Sequence, residues 1–163
     1  MPNDLDSAGR HRLGRRLVAL QFALMGALGL LALAGLRTPP TGAMAALAVA
    51  GVALTFVLAA WTLAANRPGN FNIHPSPRDG GRLVTRGPYR WIRHPMYTTV
   101  LVAGAVAVLL SDRAWLGLAA LCWAALVAVL AAKARLEEAW MTEVHPAYAD
   151  YRRHTRCFVP WLW

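Results

Sequence analysis

The chain has 163 residues, 57% of them hydrophobic and only 15% charged, where soluble domains average about 25% charged. This composition excludes a disordered chain and argues against a cytosolic enzyme, a secreted enzyme or a nucleic-acid-binding domain. The formal net charge of +9, from 17 Lys and Arg against 8 Asp and Glu, has to be read from where the cations fall.

The apolar residues gather into four uncharged runs at 17–36, 43–65, 97–110 and 114–132. Three of them approach the roughly 20 residues that cross a hydrocarbon core of about 30 Å. The expected fold is therefore all-α: a polytopic membrane protein with four membrane-embedded helices in two antiparallel hairpins, plus a cytoplasmic C-terminal helical extension. Residues 1–65 read as a scaffold hairpin. Residues 66–163 read as the region that carries chemistry.

The first run exceeds the 7–15 apolar residues of a typical signal core and reads as a retained anchor. Pro39 and Pro40 stop it before the second run begins, which predicts a hairpin of the two. Polar content there is slight (Gln21, Thr55, Thr62), and Gly26, Gly29, Gly35 and Gly51 suit close helix contact. The third run, about 21 Å long at 1.5 Å per residue, falls short of the full core thickness. Ser111, Asp112 and Arg113 then turn into the fourth run, at a depth expected to lie below the outer interface. Beyond residue 132 the helical pattern runs on through residues 133–144 until Pro146 ends it.

With alternating spans, Arg10, Arg12, Arg15, Arg16, the loop arginines 67, 78, 82, 86, 90 and 93, and Lys133, Arg135, Arg152, Arg153 and Arg156 share one face. Arg37 and Arg113 fall on the other. By the positive-inside rule, both termini and the central loop are expected to be cytoplasmic, and the short alanine- and arginine-rich chain points to a prokaryotic inner membrane. Some of these cations would also meet anionic lipid head groups. Cys122 and Cys157 read as reduced thiols. The five histidines show no metal-ligand spacing, so no metal is expected.

Chemistry is expected in two polar, aromatic-rich segments, 66–96 and 133–163. A 31-residue loop is long for a compact helical chain and marks a binding element; the aromatic and proline content of residues 70–75 and 87–91 argues that it is ordered. Pro95 suits the first turn of the third helix. The unpaired amides there, with Arg90 and Arg93 beside them, would hold a carboxylate or phosphate, although Arg93 as a lipid anchor and His94 as a cap fit the same spacing. Arg135 and Glu138 are i,i+3 neighbours that can pair, and Glu137 and Glu138 point about 100° apart on a helix, so one can face inward; a solvated helix face fits as well. The aromatic tail, Trp161 and Trp163 included, would roof a ligand or sit in the interfacial belt.

The order of these pieces carries more than any one of them. Leu83-Val84-Thr85-Arg86-Gly87-Pro88-Tyr89-Arg90-Trp91-Ile92-Arg93-His94-Pro95-Met96-Tyr97, a short helical hairpin, Arg135-Leu136-Glu137-Glu138, Tyr148-x-x-Tyr151 and a terminal Val159-Pro160 resemble the isoprenylcysteine carboxyl methyltransferase and phospholipid methyltransferase family of integral membrane enzymes. The resemblance covers about the last 100 residues. It implies S-adenosylmethionine as cofactor, with S-adenosylhomocysteine as product, and a lipophilic or lipidated substrate that arrives from the bilayer. It implies Arg93, His94, Tyr97, Glu137 and Glu138 as cofactor residues, lined by Leu83, Gly87, Tyr89 and Tyr148. Arg93, Glu138 and Arg135 are the expected catalytic residues, Arg90 or Arg135 receiving an acidic substrate. Two departures stand out: Thr99 where the family commonly has glycine, and His145-Pro146 where relatives carry a Phe-Gly-like pair. Carboxyl methylation of the isoprenylcysteine type is the leading expectation, lipid-amine N-methylation the second, and a non-catalytic membrane subunit the third.

Overall fold

The structure is a computed structural model that describes residues 4–38, 40–66 and 83–160. The loop arginines 67, 78 and 82, the segment 70–75 and the tryptophans 161 and 163 lie outside the described residues.

Among the described residues five α-helices follow one another: α1 (Asp4–Gly35), α2 (Gly42–Ala65), α3 (Pro95–Leu110), α4 (Leu116–Val144) and α5 (Tyr148–His154). Three helical segments are long and apolar enough to cross a membrane (Ala8–Gly35, Gly42–Ala65 and Arg113–Val144), and Pro95–Leu110 is a shorter apolar helix. Their large apolar side chains point outward, with Phe56 71% and Val49 and Leu30 each 70% exposed, an inside-out arrangement that only a lipid surround makes favourable. The protein is an integral membrane protein.

Helix pairing departs from the expected first hairpin. α1 lies against α4 and α3, and α2 lies against α3, while α1 and α2 make no extended contact with each other. The cause is where the small residues face. A Cβ on Gly35 would run into the Leu110 carbonyl at the end of α3, and one on Gly51 into the Val106 side chain of α3, whereas Gly26 and Gly29 have open space around them. Hydropathy says that a segment spans; small residues say which neighbour it may approach. α3 and α4 pack as expected. Gly104 leaves room for the Trp123 ring, whose carbon would be 2.8 Å from an added Cβ, and the indole N–H donates to the Leu101 carbonyl at 2.9 Å. The α3–α4 turn is closed by Asp112, which accepts from the Ala114 amide and, at 2.8 Å, from the Thr38 hydroxyl beyond α1.

α1 also begins earlier than the apolar run. Its polar N-terminal turns lie along the end of α4: Arg10 meets Glu143 at 2.8 Å and lies over the Trp140 ring, and His11 contacts the same ring. At 29 residues α4 is about 44 Å long, well over the hydrocarbon thickness, so its last turns, with Glu137 and Glu138, extend beyond the membrane-spanning part. His145 caps it and Pro146 prevents continuation.

Candidate functional site

A 3-10 turn over Gly87–Arg90 precedes the third helix and is held against the end of α2. Gly87 has φ +60°, and an added Cβ would lie 2.6 Å from the Ala65 Cβ, so glycine is required by conformation and by approach together. Arg86 donates to the Ala65 carbonyl, and Asn66 to the Tyr89 hydroxyl. The Tyr89 carbonyl in turn accepts from Tyr151 of α5 at 2.7 Å.

From Trp91 to His94 the chain runs parallel to residues 155–158. Arg156 N–H donates to the Trp91 carbonyl, Arg93 N–H to the Arg156 carbonyl at 2.7 Å, and His94 N–H to the Cys157 carbonyl at 3.1 Å. The Thr98 hydroxyl adds a bond to the Phe158 carbonyl. The amides of Arg93 and His94 are thereby satisfied by the C-terminal segment before α3 begins. Long-range backbone pairing of this kind leaves no periodic trace in sequence.

The pairing brings α3 and the end of α4 into register. Arg93 Nε donates to Glu138 Oε1 at 2.7 Å, and its Nη1 to the carbonyls of Thr155 and Arg152. His94 bridges the two glutamates, with Nε2 3.1 Å from Glu138 Oε1 and Nδ1 3.4 Å from Glu137 Oε2. Tyr97 donates to Glu137 Oε2 at 2.9 Å and stacks on His94, ring centroids 5.2 Å apart. Phe158 meets His94 edge-on, and Tyr148, buried, packs against Tyr151. Arg152 reaches the other Glu138 oxygen at 3.2 Å from an exposed position. Leu83 and Tyr89 are half-buried nearby in sequence, while Arg90 is exposed over Trp91. Arg135 is exposed, and Glu138 takes Arg93, His94 and Arg152 as its partners in place of the expected i,i+3 pair. Thr99, the departure from glycine, is buried with its hydroxyl returned to the Pro95 carbonyl.

Electrostatics follow from this packing. Burial works against a charged His94, but its bonds to Glu137 and Glu138 outweigh that cost and raise its pKa. Burial likewise pushes the Glu138 carboxyl up, yet His94 and Arg93 more than reverse it and hold the group down at about 2. Burial raises Tyr148 and Tyr151 and carries Tyr89 to about 12. His94, Glu138 and Cys157 offer ligand atoms within 4.8 Å of one another. Burial and the nearby Glu138 push the Cys157 thiol up to about 11, and Arg93 already occupies the shared carboxylate oxygen, so this set is poorly prepared for a cation.

The residues present fit a cofactor with ammonium, hydroxyl and carboxylate groups. Among the described residues, Glu137 Oε1 and Arg93 Nη2 are without partners, an acceptor and a donor left over in an otherwise satisfied cluster. The model of the phospholipid methyltransferase family matches residues 41–147, more than half of the chain. The chain belongs to the phospholipid methyltransferase family. A methyltransferase family in a membrane fold agrees with the motif order seen in the sequence. The chain is also 35% identical over 95 residues to the cobalt-zinc-cadmium resistance protein CzcN of Cupriavidus metallidurans, a match covering 55% of this chain and 41% of that protein. The chain thus spans about two fifths of the length of that relative.

Sequence reasoning missed two functional-site neighbours. Lys133, counted only as a cytoplasmic cation, is 2% exposed. Gln21, passed over as slight polar content, accepts from its ammonium at 2.9 Å. A glutamine facing a lysine across two apolar runs was the available signal.

Proposed function

We propose that this protein is an integral membrane S-adenosylmethionine-dependent methyltransferase acting on a lipophilic acceptor taken from the bilayer. The observation that carries the reading is the convergence of Arg93, His94 and Tyr97 with Glu137 and Glu138, two motifs some 40 residues apart, on one cluster that keeps an unpaired carboxylate oxygen. Four membrane-embedded helices, with both termini and residues 66–94 on the cytoplasmic side of an inner membrane, are the topology that goes with it.

Bound at this cluster, S-adenosylmethionine would supply an already activated methyl group, with S-adenosylhomocysteine as the product. Little covalent help is needed from the protein, so binding, orientation and water exclusion carry the rate. Glu137 Oε1 would accept from an ammonium or ribose hydroxyl. Arg93 Nη2 would donate to a carboxylate, its other nitrogens being fixed by Glu138 and the 152–155 backbone. His94, held from both ring nitrogens, keeps the two glutamates apart and in place. Tyr148, Tyr151 and Phe158 would shield the cluster from cytosolic water, and Gly87 and Tyr89 hold the preceding turn on the end of α2, with Leu83 just before that turn. The exposed Arg90 and Arg135 remain free to meet an acidic acceptor at the surface.

The acceptor follows the isoprenylcysteine carboxyl type in this reading; the matched family's description names phospholipids, and N-methylation of a lipid amine is the second reading. The test is incubation of purified protein in detergent with methyl-labelled S-adenosylmethionine and fractionated membrane lipid. Label in an acidic lipid fraction, lost on mild base as a methyl ester would be, supports carboxyl transfer; base-stable label in an amine fraction supports N-methylation. Firm S-adenosylhomocysteine binding without label in any fraction favours the subunit role.

A further inference from the structure

Lys133 is 2% exposed and tied to α1, a helix that supplies no side chain to the cluster around Glu137 and Glu138. Its ammonium donates to Gln21 Oε1 at 2.9 Å and lies over the Tyr97 ring, 5.0 Å from the centroid. Gln21 is fixed in turn. It is 7% exposed, and its amide nitrogen faces the Met25 sulfur one turn along α1 at 3.8 Å, which leaves the carbonyl oxygen for the ammonium. A methionine at position 133 would fill much of the same space without the cost of taking an ammonium out of water, so a lysine held there has a role beyond packing.

That role is set by Tyr97 and Glu137. Lys133 and Glu137 are i,i+4 neighbours on one face of α4, and their charges interact electrostatically. Tyr97, whose ring carries the ammonium, donates its hydroxyl to Glu137 Oε2 at 2.9 Å. The same ring stacks on His94, whose Nδ1 lies 3.4 Å from that oxygen. Both contacts of the Glu137 carboxylate therefore fall on Oε2, and Oε1 is left to accept from a ligand. A cation over the ring restrains it through the ring quadrupole. Its pull on the carboxylate opposes rotation of Glu137, 27% exposed, out into cytosolic water. Without the charge, Tyr97 and Glu137 would loosen together.

We infer that Gln21 and Lys133 form a positioning pair for the cofactor site: Gln21 fixes the ammonium over Tyr97, and the ammonium holds Tyr97 and Glu137 in the arrangement that presents Glu137 Oε1. The inference deepens the methyltransferase reading and rests on it for the identity of the ligand that Oε1 meets. Neither residue is catalytic; both act through Tyr97 and Glu137. Through this pair α1, which precedes the residues matched to the family, acts on the site.

The test uses the full chain in phosphatidylcholine nanodiscs and equilibrium dialysis of labelled S-adenosylhomocysteine, which reads weak as well as firm binding. Lys133→Met is expected to weaken binding at least about fivefold in the wild-type background and less than about twofold in a Glu137→Gln background, because members of one network couple while independent sites add. Gln21→Met, which deprives the ammonium of its acceptor, should weaken binding more than about twofold, again only while Glu137 is present. Lys133→Arg keeps a cation over the ring and should recover most of the affinity. Packing alone would lose the same factor in both backgrounds. Equal factors in the two backgrounds overturn the inference, as does unchanged binding in Lys133→Met or a loss in Lys133→Arg as large as that in Lys133→Met. Should Lys133→Met fail to fold, Gln21→Met in the two backgrounds decides by the same comparison. A cofactor-free cycle separates the two readings: Lys133→Met and Glu137→Gln should couple in the unfolding equilibrium by at least about fivefold. Binding by wild type without that coupling refutes the positioning pair alone, and coupling without binding by wild type refutes the methyltransferase reading alone.

Discussion

Glu138→Gln preserves the shape of the side chain and removes the charge that Arg93 Nε meets at 2.7 Å and His94 Nε2 at 3.1 Å, with the Glu138 and His94 side chains each 8% exposed. Hydrogen bonds to ionised groups contribute about 1.5–3 kcal/mol each. The Arg152 contact comes from a side chain 59% exposed and adds a few tenths at most. A carboxyl held at about 2 instead of 4.5 sets the same scale, about 3 kcal/mol at 1.36 kcal/mol per unit. The substitution should therefore lower stability by about 3 kcal/mol. In a cycle with Arg93→Ala, the two should couple by about 2 kcal/mol, read as unfolding in a denaturant titration of detergent-solubilised protein followed by helical circular dichroism. The sign of the pH dependence follows. The depressed Glu138 contributes stability that is present above 4.5 and lost as pH falls toward 2. The raised His94 contributes stability that is present below 6.5 and lost as pH climbs through its higher folded value. The difference between wild type and Glu138→Gln should hence be largest between these limits and shrink in acid. A coupling below about 0.5 kcal/mol, the level of independent sites, or a difference that does not shrink in acid, would refute the reasoning.

Three further outcomes are expected. Gly87→Ala should cost about 2–3 kcal/mol, from strain at positive φ and from crowding against Ala65, and adding Ala65→Gly should recover the crowding part in the same titration. Arg10→Ala removes the bond to Glu143 and the contact with Trp140, so its unfolding midpoint should fall by an amount equivalent to about 1 kcal/mol or more. In intact cells, a cysteine placed at Arg153 should resist a membrane-impermeant maleimide that labels one placed at the exposed Arg37, as the cation distribution requires; the reverse pattern would invert the topology.

The spans and the end of α4 were legible because uncharged runs and Pro146 act locally. That Arg93, His94 and Tyr97 meet Glu137 and Glu138 could be anticipated because the two motifs keep their order, although the pairing within the cluster could not: Glu138 takes Arg93, 45 residues away, in preference to Arg135 on its own helix. What escaped the sequence depends on tertiary approach. Gly35 and Gly51 look like Gly26 and Gly29 until α3 is beside them. The 155–158 segment has no strand periodicity, yet its carbonyls satisfy the amides before α3. Lys133 reads as the first cytoplasmic cation after a span, and only its neighbours Gln21 and Tyr97 reveal that it points inward.

The most direct measurement is calorimetric titration of S-adenosylhomocysteine into wild type, Glu137→Gln and Arg153→Ala, each checked for an unchanged unfolding midpoint. Glu137 carries the unpaired oxygen of the cluster, so its neutral replacement should weaken binding by about 10- to 150-fold, the worth of one charge-assisted bond. Arg153, which pairs with Asp150 at the surface, should leave affinity within about twofold. Equal affinities for wild type and Glu137→Gln would contradict a cofactor site at this cluster.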